Sequence, residues 1–418
     1  MRLLPVAASL SLAVAVAYYV YTPLPDAIQE PWKLLLLDAG FRTTIHLASL
    51  KSWLGFDHYI TSIRQSAEGF DGMVEGLVGS ESGGGVMPGV KVSDITFAGV
   101  PVRVYEPPAG GEGHLRRGVM YFHGGGWALG TGKKGAYDAM NRMLSDELNA
   151  VVVSVEYRMY PEVTFPVPYL DCLAAAEHFL SPEVQARYAI DPERVAVAGD
   201  SAGGNLAAAV AQQISADETT RVKFSVQALI YPALQALDFN TPSYLQNQNV
   251  PLLRRPLMLR FWLQYLGADL SLLDQWLAND HPGITPELRA RLDWTALLPP
   301  KHKGNRGRPV AAAVEKGSSR GPAKEPPGLL DVRASPLLAG PEVLAKCPRA
   351  YIVTCEHDVL RDDGLMYARR LRDAGVSVAA VHYEDGFHGC FILVAWPMDF
   401  DVGRRAVRGY LDWLQKNL

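Results

Sequence analysis

From residue 90 onward the chain alternates short apolar, β-branched runs with helical stretches, and this alternation limits the possible folds more than any other feature. Eight runs read as strands: Val90 to Phe97, Val100 to Tyr105, Gly118 to Phe122, Val151 to Glu156, Arg194 to Ala198, Val226 to Tyr231, Ala350 to Cys355 and Val376 to Tyr383. Helices are predicted over Lys133 to Leu148, Pro168 to Leu180, Asn205 to Ile214, Gly364 to Ala374 and Val402 to Gln415. Strands joined through helices make parallel crossovers, so the expectation is an eight-stranded, mostly parallel sheet with helices on both faces. Sheets of this kind collect their functional groups at the carboxyl ends of the strands.

One such end carries Gly199-Asp200-Ser201-Ala202-Gly203, preceded by the run Arg194 to Ala198 and followed by an Ala-rich helix. Strand, sharp turn and helix make a nucleophile elbow: a serine at the apex of so tight a turn needs neighbours without a Cβ. Ser201 is the candidate nucleophile. Upstream, Val119-Met120-Tyr121-Phe122 runs into His123-Gly124-Gly125-Gly126-Trp127, a loop whose backbone N–H groups suit a developing oxyanion. The expected donors are the amides of Gly125, Gly126 and Ala202; His123 and Gly124 belong to the same region, with His123 expected to fix the loop. The remaining members of a triad should follow as acid, then histidine. Asp358, after the strand ending at Cys355, and His388, in Gly386-Phe387-His388-Gly389, are the choices. Asp362 and Asp363 are rivals that suit the first turn of a helix, and His382 is a rival inside a strand. This order of nucleophile, acid and histidine gives the α/β-hydrolase fold. Arg158 and Asp200 read as structural.

Two stretches stand outside the alternation, about Pro31 to Gly89 and Ala233 to Leu330, and both are placed to form a helical cap. The division expected is a cytosolic tip and membrane anchor over 1–25, an N-terminal cap region over 26–89, and a catalytic domain over 90–418 with a cap insertion at about 233–330. Within the insertion, Leu252 to Leu266 is apolar at roughly helical spacing, either as a helix buried on the body or as a lipid-facing surface. Lys301 to Pro327 is rich in Lys, Arg, Gly and Pro and reads as a solvated loop.

The 418 residues, 48% apolar, suffice for one large core plus a cap, and a net charge of −4 favours no nucleic-acid partner. No P-loop or spaced Cys/His ligand cluster occurs in the sequence, so no cofactor or metal is called for. Leu3 to Tyr21 is uncharged and nearly all apolar, long enough to cross roughly 30 Å of hydrocarbon. Arg2 precedes it, Asp26 and Glu30 follow it, and the charge bias leaves the short end cytosolic. A cleaved signal peptide ending near Ala15-Val16-Ala17 is the competing reading. The four cysteines show no disulfide framework and are expected as buried free thiols, with Cys355 and Cys390 placed to be close.

Taken together, HGGGW, the segment Glu156 to Glu162, GDSAGGN, the segment Asp358 to Gly364 and GFHG resemble the hormone-sensitive-lipase branch of the α/β-hydrolases, and within it the arylacetamide-deacetylase group. The resemblance implies a signal-anchored, single-pass protein of the endoplasmic reticulum membrane with a lumenal serine hydrolase. It implies lipid ester substrates, cholesteryl esters and 2-acetyl monoalkylglycerol ethers among them. It also implies Ser201, Asp358 and His388 as the triad and His123-Gly124-Gly125 as the oxyanion region. A broad arylacetamide-type esterase or amidase, and a non-catalytic lipid-binding member of the fold, are the alternatives. No Asn-x-Ser/Thr glycan acceptor is present.

Overall fold

The computed structural model describes residues 3–78, 89–108, 115–279, 285–303, 326–394 and 398–418. Most of the predicted basic loop therefore lies outside the described residues. The sheet has eight strands: β1 (Lys91–Phe97), β2 (Val100–Glu106), β3 (Arg116–Phe122), β4 (Ala150–Val155), β5 (Ile190–Asp200), β6 (Val226–Ile230), β7 (Arg349–His357) and β8 (Val378–Phe387). Their spatial order is β1-β2-β4-β3-β5-β6-β7-β8. The pairs β1/β2 and β2/β4 are antiparallel and the others parallel.

Three helices precede the sheet, α1 (Leu3–Val20), α2 (Pro31–Trp53) and α3 (Tyr59–Val78). Between strands come α4 (Gly135–Leu148), α5 (Val167–Phe179), α6 (Pro182–Arg187) and α7 (Ala202–Ala216). The long β6–β7 connection carries α8 (Pro242–Gln246), α9 (Arg255–Tyr265), α10 (Leu273–Leu277), α11 (Pro286–Arg291), α12 (Trp294–Leu297) and α13 (Pro341–Leu344). Then α14 (Arg361–Asp373) joins β7 to β8, and α15 (Asp401–Asn417) closes the chain.

The strand sequences explain the two-sided core. Every residue of β4 and β6 is buried, as expected of strands covered on both faces, whereas the antiparallel edge strand β1 is largely exposed. Successive side chains go to opposite faces. Met120, Phe122, Val151, Val153, Val195 and Val197 join one cluster, with Leu206, Val210 and Leu371 of the helices on that side. Val119, Tyr121, Val152, Ala196 and Ala198 join another, beneath Met140 and Leu144 of α4 and Tyr410, Leu411 and Leu414 of α15.

Two elements differ from the sequence expectation in extent. β8 continues through Gly386 to Phe387, four residues past Tyr383, which carries the strand up to His388. β5 begins at Ile190, where Arg116 pairs with it before a register shift. The α1 helix occupies most of the predicted membrane span, but the side chains of residues 3–10 and 12 lie outside the described residues. Among the described residues, no helix is long and apolar enough to cross a membrane.

The apolar run after Leu252 settles as the buried of its two readings. Met258, Leu259, Phe261, Trp262, Leu263 and Tyr265 of α9 are all buried. Trp127 stacks on Tyr265 with ring centroids 4.2 Å apart and meets Trp262 at 4.5 Å, so an aromatic cluster fastens α9 beside the Gly-rich loop. The N-terminal helices reach the same region. Asp38 of α2, 1% exposed, accepts from Leu252 N at 3.0 Å and pairs with Arg42 at 2.8 Å and Arg254 at 3.0 Å. Arg64 of α3 donates to the Ala128 carbonyl at 2.7 Å and to the Tyr160 carbonyl, and pairs with Glu162 at 2.8 Å.

Candidate active site

Ser201 sits between the last residue of β5 and the first of α7 with φ 56° and ψ −118°. A non-glycine residue at that φ is strained, and the strain is held by its surroundings. Ser201 N donates to the Ile230 carbonyl at 2.9 Å. Gly199 and Gly203 are required because the chain doubles back on itself: a Cβ on Gly203 would lie 2.0 Å from the Phe122 carbonyl oxygen, and one on Gly199 2.3 Å from that of Gly203. The glycines thus let α7 start against the end of β3, with the serine hydroxyl clear of both.

His388 follows β8 directly, and its ring lies between the other two predicted members. Nε2 is 3.0 Å from Ser201 Oγ and Nδ1 is 2.8 Å from Asp358 Oδ2. A carboxylate only accepts, so Nδ1 carries the proton given to Asp358, and Nε2 is left as acceptor for the serine hydroxyl. Asp358 is buried, and its other oxygen accepts from Leu360 N at 2.8 Å. Asn247 secures the turn by donating to the carbonyls of Glu356 at 2.9 Å and Asp358 at 3.0 Å. The ring of Tyr231 packs 4.7 Å from that of His388.

The rival carboxylates are committed elsewhere. Asp362 bonds Arg361 Nε at 2.9 Å and Ser243 N at 2.6 Å; Asp363 bonds Leu234 N at 2.9 Å and Gln235 Nε2 at 3.1 Å. Both tie the start of α14 to the segment after β6, and burial pushes the Asp363 carboxyl up to about 8. His382 points instead to Thr354 and Glu356.

The Gly-rich loop divides by function. Gly124 N donates to Tyr137 Oη at 2.8 Å and Asp200 Oδ1 at 3.0 Å, so its placement among the oxyanion groups needs correction: the amide is turned inward and spent. His123 is also inward, fully buried, with Nδ1 donating to the Gly124 carbonyl at 2.8 Å and its ring stacked on Tyr157 at 4.5 Å. Burial lowers its pKa and keeps it neutral, so it shapes the loop and offers no charge to an oxyanion. The amides of Gly125, Gly126 and Ala202 have no hydrogen-bond acceptor among the described residues. Ala202 opens α7, where a helix leaves its first N–H groups free. Positive φ values of 108° and 63° at Gly125 and Gly126 turn the loop, and the Phe261 ring of α9 lies so close to Gly126 that a Cβ there would meet it at 2.4 Å.

Asp200, beside the nucleophile, is held by partners that nothing in the neighbouring sequence marks. Tyr121 Oη donates to Oδ1 at 3.0 Å and Tyr137 Oη to Oδ2 at 2.9 Å. Desolvation raises the Asp200 carboxyl to about 6, while the hydrogen bonds from Tyr137, Tyr121 and Gly124 hold it down against that trend. Only the aromatic residues at 121 and 137 hint at this network, and aromatic residues in a core are too common to single out. Arg158 forms a two-armed pair with Asp171, Nη2 to Oδ1 at 2.7 Å and Nε to Oδ2 at 2.9 Å, away from Ser201. All four cysteines are free and buried, and the Sγ atoms of Cys355 and Cys390 are 3.7 Å apart.

A serine hydroxyl bonded to a histidine, that histidine oriented by a buried acid, and three amides without acceptors form a constellation suited to acyl transfer. The model of the alpha/beta hydrolase fold family matches residues 119–288 and 321–392. Neutral cholesterol ester hydrolase 1 of Rattus norvegicus is 49% identical over 412 residues, 98% of each chain. Arylacetamide deacetylase of Bos taurus is 42% identical over 410 residues, again 98% of each. Among solved structures, an esterase of Pyrobaculum calidifontis superposes with a TM-score of 0.62 at 28% identity, covering 85% of this chain and 92% of the other.

Proposed function

The chain belongs to the alpha/beta hydrolase fold family, and from that membership we propose that it is a membrane-anchored serine hydrolase cleaving carboxylic esters of lipids. The observation that carries the reading is the continuous hydrogen-bonded line from Asp358 through His388 to Ser201, beside unpaired amides of Gly125, Gly126 and Ala202. In the forward step Ser201 Oγ attacks the ester carbonyl while His388 Nε2 takes its proton. Asp358 holds the imidazole and stabilises the imidazolium. The three amides receive the carbonyl oxygen as it becomes anionic. His388 then returns the proton to the leaving alcohol, and the acyl group stays on Ser201. Water activated by the same histidine attacks that acyl-enzyme, releasing the acid and regenerating the serine.

The name and extent of the cholesterol ester hydrolase relative support cholesteryl esters as substrates, the motif resemblance adds 2-acetyl monoalkylglycerol ethers, and the apolar wall beside the oxyanion loop suits both. Each buried substrate methylene adds about 0.8 kcal/mol of binding. An arylacetamide-type esterase or amidase would share every one of these groups and differ in the helices above them. A lipid-binding member without catalysis would have no use for a strained serine aligned with a base. The deciding experiment compares specificity constants for cholesteryl oleate, a 2-acetyl monoalkylglycerol ether and a small arylacetamide in detergent micelles. The expected order places the lipid esters first; a dominant arylacetamide with inert lipid esters assigns the deacetylase activity instead.

We also infer that α1 anchors the chain in the endoplasmic reticulum membrane, with the catalytic domain lumenal. The exposed apolar side chains support contact with a membrane, because they gather on α2 and the turn after it: Trp32, Leu36, Leu47, Leu50, Trp53 and Phe56. Trp53 is 80% exposed and Phe56 77%, values that no core packing explains. Arg42 of α2 bonds the Tyr19 carbonyl at 2.7 Å, so this surface lies close to the end of α1. The lipid-facing role once open to Leu252 to Leu266 therefore passes to α2. The protein is expected to resist alkaline extraction from microsomes and to keep its catalytic domain when protease is added to sealed vesicles. A mature chain beginning near Tyr18 would establish a cleaved signal peptide instead.

A further inference from the structure

Three side chains that the proposed mechanism does not use meet beside the acid-bearing turn. Glu356, at the end of β7, has Oε2 3.0 Å from His382 Nε2 of β8 and 3.5 Å from His302 Nδ1 of the β6–β7 connection. The three ligand atoms all lie within 4.8 Å of one another. Eighty residues separate His302 from His382, so no ligand spacing could show the group in the sequence.

The surroundings prepare these groups in three ways. Arg361 Nη1 takes Glu356 Oε1 at 2.6 Å, which fixes the carboxylate and leaves Oε2 turned to the imidazoles. Arg361 is itself paired with the buried Asp362 at 2.9 Å, so its positive charge is shared between two carboxylates. Thr354 Oγ1 lies 2.9 Å from His382 Nδ1, directly opposite across the β7/β8 pairing. With no ion bound, Nε2–H donates to the carboxylate, which only accepts, and Nδ1 accepts from the Thr354 hydroxyl; a cation taking Nε2 shifts the ring to its other tautomer, whose Nδ1–H donates to Thr354 Oγ1 and holds the ring in place. Bound metals use this kind of outer partner on a ligating histidine. His302 is 4% exposed while Glu356 is 32% exposed, so one ligand is fixed in the core and the site is open to solvent on another side.

We propose that His302, Glu356 and His382 bind one divalent cation of the zinc class. Two imidazole nitrogens and a carboxylate oxygen are the ligand chemistry of such ions, and tetrahedral binding at about 2.0–2.1 Å sets ligand atoms roughly 3.3 Å apart, a spacing between the 3.0 and 3.5 Å found for Oε2 and the two nitrogens, with water in the fourth position. The ion would join β7 and β8, which carry Asp358 and His388, to the connection that crosses above them. It is separate from the ester-cleaving groups.

The test uses the full chain in detergent, stripped with a chelator. Titration with Co2+ is followed by visible absorption, with Zn2+ added to compete, for wild type and for His302→Ala, His382→Ala and Thr354→Val. The expected result is one ion per chain, displaced by Zn2+. Thr354→Val should bind about 10–100-fold more weakly. Either histidine variant should bind more weakly still. Zn2+ should raise the melting temperature of wild type but not of His302→Ala, and cleavage of a short-chain ester by His302→Ala shows that this variant is folded. Absence of Co2+ absorption in wild type overturns the proposal. So does binding that is unchanged in both histidine variants, which would place the ion at Cys355 and Cys390 or at His388.

Discussion

Ser201→Ala is expected to abolish labelling by a fluorophosphonate and to lower turnover of any ester by up to about a millionfold, the scale seen when one member of a triad is removed. The loss should fall on kcat and not on KM, because the hydroxyl is one small atom in a site whose substrate contacts survive. The variant should fold normally. Alanine removes only Oγ, whose hydrogen bond is to His388, and the main-chain bonds of the elbow stay in place. Alanine at φ 56° carries the same backbone strain as serine. Labelling that persists in a folded Ser201→Ala protein would show that another residue is the nucleophile.

Asp358→Asn should lower kcat by about 10⁴-fold, since an amide NH₂ facing Nδ1 imposes the wrong tautomer on His388. The structure sharpens the contrast with the neighbouring acids. Asp363→Asn replaces an oxygen that accepts from Leu234 N or Gln235 Nε2 with a donor, and leaves a buried group unpaired. That costs stability, about 1–3 kcal/mol for each buried group left without a partner. Its kcat per folded molecule should change little. Melting curves measured beside kinetics separate the two outcomes: a large kcat loss at unchanged melting temperature for Asp358→Asn, and the converse for Asp363→Asn. A reversed pattern would move the acid to position 363.

The parts of this architecture that can be read from the sequence are the ones encoded locally. A β-branched run next to glycines shows where a strand must end in a sharp turn, so the elbow, the Gly-rich loop and the strand ends before Asp358 and His388 all stand out. Eight strands can be found for the same reason. Contacts between distant segments carry no such mark. Nothing near Asp38 shows that it will accept from Leu252 and pair with Arg254, more than 200 residues away, or that Arg64 will hold the turn after the oxyanion loop. The inward turn of the Gly124 amide was hidden likewise, because three adjacent glycines look alike until Tyr137 and Asp200 claim one of them. Asp362 and Asp363 do begin α14, as acids at a helix start should. Their burial against residues 234–243 is a tertiary fact that the helix position alone does not contain.

The contact between Phe261 and Gly126 bears on how such enzymes diverge. Selectivity is usually free to drift when the residues that sort substrates are separate from those that perform chemistry. On the proposed function one wall serves both: a change on this side of α9 presses on the turn at Gly126, whose amide is assigned to the oxyanion, so mutations there are filtered by turnover before they are tested for preference. New substrate ranges are therefore expected to arise first in parts of the cap that make no contact with that turn. The aromatic seam of Trp127, Trp262 and Tyr265 should change slowly even among descendants that have exchanged one ester for another.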